Sequence, residues 1–131
     1  VAQRFPAAQL APTDAFGFAR MQELHGYLAS TVHVAHAHRP RASRWADEPE
    51  AIAAMQRKVP QNMEEGFALI ERHYLQGPWV LGDRYSVADG YLFTVAGWLR
   101  SDGVDIARFP KVQAHHQRVG ARPAVQRALA A

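Results

Sequence analysis

The chain has 131 residues, 48% of them hydrophobic and 21% charged, with a net charge of +3 at neutral pH. That supports one globular domain with a real core and excludes a disordered segment. Cysteine is absent, which excludes disulfides, a thiolate nucleophile and cysteine-ligated zinc in this chain, and no run approaches the roughly 18–20 apolar residues of a helical membrane span.

Thr13 or Asp14 can cap a first helix running to about His38, with Leu24, Tyr27, Leu28, Thr31, Val32 and Ala35 recurring on one face. Arg39-Pro40 ends it, because the residue before proline is pushed out of the α region. Residues 39–48 form a polar loop carrying Arg39, Arg41 and Arg44. This cluster lacks the dense basic stripe and interleaved aromatics of a nucleic-acid surface. Pro49 suits the first turn of a second helix. That helix should run to about Leu75, burying Ile52, Met55, Val59, Met63, Phe67, Ile70 and Tyr74. Pro60 predicts a kink or break near 56–60. The apolar period continues across it and favours one kinked helix over two shorter ones.

Gln76-Gly77-Pro78 ends that helix, and the stretch 79–93, W-V-L-G-D-R-Y-S-V-A-D-G-Y-L-F, organises the rest. Gly82-Asp83 signals a turn. Ser86 and Asp89 can form a capping box, in which the Ser86 hydroxyl accepts the backbone N–H of Asp89 and the Asp89 carboxylate reaches back to the Ser86 N–H. The residues that follow are apolar nearly all round, so this helix should be central and buried. It should stop near Asp102-Gly103. Pro110 opens a helix that buries Val112 and Val119 and ends at Gly120, and Pro123 opens a short last one. No strand alternation is present. The fold expected is all-α, a single five-helix bundle.

Histidine supplies the candidate chemistry. His33, His36 and His38 lie within six residues; on a helix the first two share a face. Three imidazoles can hold zinc if the helix end unwinds, but no acidic partner is close in sequence, and no metal is expected. His115 and His116 cannot chelate from one helical face, and one of them should be exposed. His25 and His73 read as structural or solvent-facing. Trp98 reads as core, and Asp89 as part of the cap rather than a catalyst. No phosphate loop or zinc-protease motif is present.

The stretch 79–93, with Gly103-Val104-Asp105-Ile106-Ala107-Arg108-Phe109-Pro110 and the run from Ala121 to Leu129, resembles the C-terminal helical domain of cytosolic glutathione S-transferases, the bacterial beta class above all. Residues 1–12, with Pro6 and Pro12, are similar to that family's interdomain linker. The resemblance therefore implies residues 13–131 as the helical domain of a longer, cytoplasmic polypeptide with a thioredoxin-like domain before it.

It further implies a homodimer, no membrane or nucleic-acid partner, glutathione as co-substrate and a small apolar electrophile. His33 matches a histidine that faces the glutathione sulfur, and Val34, Ala37 and Trp45 become candidates for the substrate wall. No catalytic residue falls in this chain, because the thiol-activating residue belongs to the first domain. The family's lysine and asparagine are replaced by Val34 and Gly26, which leaves open a non-catalytic interaction module on the same fold. Its hydrophobic staple also departs, since Gly90 has no side chain to meet Tyr85.

Overall fold

The computed structural model describes all residues, Val1–Ala131. The α-helical segments are α1 (Ala15–Tyr27), α2 (His33–Ala37), α3 (Pro49–Leu69), α4 (Val87–Ala96), α5 (Pro110–Gly120) and α6 (Pro123–Leu129). A wide π-helical turn, Leu28–Val32, joins α1 to α2 in one unbroken helix, so the bundle has five. None is long and apolar enough to cross a membrane. Asp14 is the first cap, accepting from the Gly17 N–H at 2.7 Å.

The second helix passes through Pro60 as one element and ends in a second π-helical turn, Ile70–Tyr74. Val59, Met63, Phe67, Ile70 and Tyr74 are buried, as their period predicts, whereas Ile52 and Met55 are only half-buried. Thr31, placed by periodicity on the inner face of the first helix, is exposed. The sequence carries no sign of the two wide turns. Each inserts a residue into the repeat without an apolar or glycine signal to mark it.

Between Trp79 and Gly82 the backbone closes on itself, N–H to carbonyl both ways, with Gly82 at φ 84°. The capping box follows. The Ser86 hydroxyl accepts from the Ala88 N–H at 3.3 Å, and the Asp89 carboxylate accepts the Ser86 N–H at 2.7 Å. The first N–H of α4, on Val87, goes to the Leu10 carbonyl at 2.9 Å. Asp89 is fully buried and takes three further donors, the Ser86 hydroxyl at 3.2 Å, the Val80 N–H at 2.8 Å and Nε2–H of His115 at 2.9 Å. In place of a staple, the Tyr85 hydroxyl lies against Gly90, where an added Cβ would sit 3.3 Å from it. The Arg122 guanidinium covers the Tyr85 ring at 3.8 Å.

Regular α4 ends at Ala96, earlier than expected. Beyond it the Trp98 and Leu99 N–H groups bond three residues back rather than four, so the turns tighten without unravelling. They close at Gly103, φ 80°, where the Gly103 N–H meets the Arg100 carbonyl and the Val104 N–H meets that of Leu99. That pair of bonds is a Schellman stop, and the positive φ explains the glycine. Farther on, the Glu71 carboxylate accepts the N–H groups of Lys111 and Val112, both at 3.0 Å, and caps α5 from another helix.

Two substitutions separate these roles. Ser86→Ala removes one cap acceptor and should lower the unfolding free energy by about 0.5–2 kcal/mol. Asp89→Ala strands several buried donors at once and should cost about 3 kcal/mol or more. Urea unfolding followed by circular dichroism measures both; equal losses would show that Asp89 acts only as a cap.

Candidate functional site

The end of the first helix and the turns after α4 meet around Trp98. The half-buried indole packs against the core. Its face is stacked by His36, ring centroids 4.3 Å apart at 18°, and His33 packs against it in a T-shaped pair at 5.1 Å and 62°. The spacing of 33 and 36 puts both imidazoles on one side of α2, as read from the sequence. His38 lies elsewhere, 4.4 Å from the ring of Trp45. No group of three or more His, Cys, Asp or Glu side chains comes together to hold a metal.

The acidic partner missing from the local sequence arrives from 66 residues away. Nδ1–H of His36 donates to Oδ2 of Asp102 at 2.8 Å. The Asp102 side chain is wholly removed from solvent and that of His36 is 18% exposed. Burial pushes the Asp102 carboxyl above the usual carboxylate range; the hydrogen bond and charge of His36, and the charge of Arg39, pull against it. From the sequence, Asp102 marks only a helix stop. Nothing local signals its role, since an Asp-Gly pair after an apolar helix is an ordinary terminator.

The predicted wall residues divide. Val34 is 37% exposed and Trp45 48% exposed, both open to a ligand. Ala37 is corrected: it is buried, 7% exposed, and contributes packing instead of surface. Val34 also lines a groove of about 580 Å³ with Tyr27, Thr31, His38, Asn62 and Leu69. A second groove, about 540 Å³, runs beside Phe16, Arg20, Tyr74, Leu81 and Tyr85. Phe16 is 77% exposed there, and Arg20 pairs with Glu23 at 2.6 Å. His33 lines neither groove. Ser86 and Asp89 lie at the α4 cap, as structural residues. Of the adjacent pair, His115 is buried against Asp89, and His116 is half-buried and stacked on Phe93 at 4.4 Å, so neither is fully exposed.

The class is thus an all-α bundle on a capped central helix, with aromatic-backed imidazoles at one end. A family model, the glutathione S-transferase C-terminal domain, matches residues 49–118, and the chain belongs to that family. It is 30% identical to glutathione S-transferase GstA of Escherichia coli O157:H7 over 93% of this chain and 57% of that protein. Among solved structures it is similar to a glutathione transferase homologue from Sulfitobacter with bound glutathione, at 44% identity and TM-score 0.94, covering 97% of this chain and 61% of that one. A beta class glutathione S-transferase from Sphingomonas chungbukensis matches at 27% identity and TM-score 0.80, covering 98% of this chain and 61% of that one. The chain therefore spans about three fifths of the length of these relatives.

Burial pushes the imidazoles of His25 and His116 below the ordinary value of 6.5, and neighbouring His115 adds to the depression at His116. The unfolded chain then binds protons there more readily than the folded one. The stability these residues contribute is complete above 6.5 and is lost as pH falls through that value toward the lowered folded ones. Melting temperature should fall between about pH 7.5 and 5, and His116→Gln should fall less steeply. Parallel curves for the two proteins would remove His116 from this account.

Proposed function

We propose that this chain is the helical half of a cytoplasmic bacterial glutathione transferase, that it works as a homodimer, and that its partner domain is a thioredoxin-like domain in the same polypeptide. The observation that carries the reading is His33, half-buried against Trp98 in a chain of this family. A structural relative that binds glutathione supports it.

The chemistry is attack of the glutathione thiolate sulfur on an electrophilic carbon of a small apolar molecule, with departure of a leaving group. Such attack depends on holding the sulfur as thiolate. The activating residue belongs to the other domain. From this half, His33 presents an imidazole to the sulfur as a hydrogen-bond or proton partner. Val34 and Trp45, both open to solvent, supply apolar surface for the electrophile. No metal enters the scheme.

A second reading, a non-catalytic interaction module, is favoured by Gly26 and Val34. Nothing lies within 4 Å of a Cβ added at Gly26, so the space for a longer polar side chain exists and is not used.

Two measurements decide. The chain alone should show no conjugation of glutathione to an aromatic halide. The longer polypeptide containing it should turn over, and His33→Ala there should lower kcat by about 10²-fold. Turnover by the chain alone would overturn the division of labour. A longer polypeptide that fails to bind glutathione at millimolar concentration would select the interaction module.

A further inference from the structure

His36 belongs to neither the wall nor the sulfur contact just described, yet it is the most constrained of the histidines around Trp98. Its ring lies nearly parallel to the indole, and its Nδ1–H is given to a carboxylate that no solvent reaches. The other carboxylate oxygen of Asp102, Oδ1, is buried with no hydrogen-bond partner in the protein. Burying a carboxylate so incompletely satisfied is unfavourable, and a well-packed apolar pair of similar volume would hold the same two segments together as well or better. Buried carboxylate–imidazole pairs kept against that gradient concentrate at functional sites. An ionised carboxylate only accepts, so the proton in this bond is held on Nδ1 of His36.

We propose that Asp102 and His36 are positioning residues for His33. The contacts form one series. Asp102 holds His36 in a single ring orientation and tautomer, His36 holds Trp98 by its face, and Trp98 holds His33 in the T-shaped pair. The wide turn Leu28–Val32 ends at this point, with the His33 N–H bonded to the Leu28 carbonyl. The imidazole thus sits where backbone and side chain are both fixed. The charges acting on Asp102 come from His36 and from Arg39, at the end of the first helix. The functional meaning of the series rests on the reading of His33 as the glutathione-facing residue.

The test uses the 131-residue chain, labelled at histidine, with nuclear magnetic resonance reading the His33–Trp98 ring contacts and the His36 tautomer. Asp102→Leu should abolish the ring contacts of His33 and let His36 populate both tautomers, and Asp102→Asn should restore them in part. The volume-matched double variant His36→Phe with Asp102→Leu guards against a folding defect. It should melt at or above the wild-type temperature, which shows that losing the pair does not unfold the chain. Unchanged His33 contacts in Asp102→Leu would overturn the proposal and leave the pair as a cross-link between two segments. No glutathione is present in this measurement, so a failed glutathione titration bears on the proposed function alone, and unmoved His33 contacts bear on the pair alone.

Discussion

One buried carboxylate holds this bundle in register. Asp89 accepts from Ser86 at its own helix start, from Val80 in the preceding turn and from His115 on α5. Three segments are therefore pinned to one point, and that point sits at the N-terminus of the central helix, where negative charge is favoured by the helix dipole. Glu71 repeats the device at α5, reaching from the end of the second helix to two backbone N–H groups. Helix packing alone sets angles and distances loosely. Directional bonds at two helix starts remove that slack, so the ends of the helices occupy defined places relative to one another.

The candidate site depends on that precision. His33 and His36 lie on the first helix, while Trp98 and Asp102 lie on the tightened turns after α4. The central helix is clamped at its start by Asp89 and closed at its far end by the glycine stop at Gly103. The turns that carry Trp98 and Asp102 are thereby fixed at both ends. Rigid elements supply the framework, and His33 and His36 are carried at one end of it. Burial of Asp102 strengthens every electrostatic contact it makes.

Local chemistry made much of this legible. The box of Ser86 and Asp89, the turn at Gly82, the stop at Gly103 and the proline starts at 49, 110 and 123 each follow from a residue type whose backbone preference is strong. The second helix runs through Pro60 because the apolar face on both sides of it is buried, and tertiary packing outweighs one lost backbone bond. The wide turns, the early end of regular α4 and the burial of Ala37 were not legible. All three depend on how a helix meets its neighbours, and hydrophobic periodicity averages over that.

The site divides the same way. By itself the sequence determined a five-helix bundle around a capped central helix, the family likeness, and the shared face of His33 and His36, because these rest on spacings of a few residues. Only the tertiary structure decided that the indole of Trp98 packs against both of those imidazoles, that Asp102 reaches His36, and that Asp89 ties α5 to the central helix through His115. Those partners are 26 and 66 residues apart for the two hydrogen bonds, and no local pattern encodes a contact that exists only once the helices have packed.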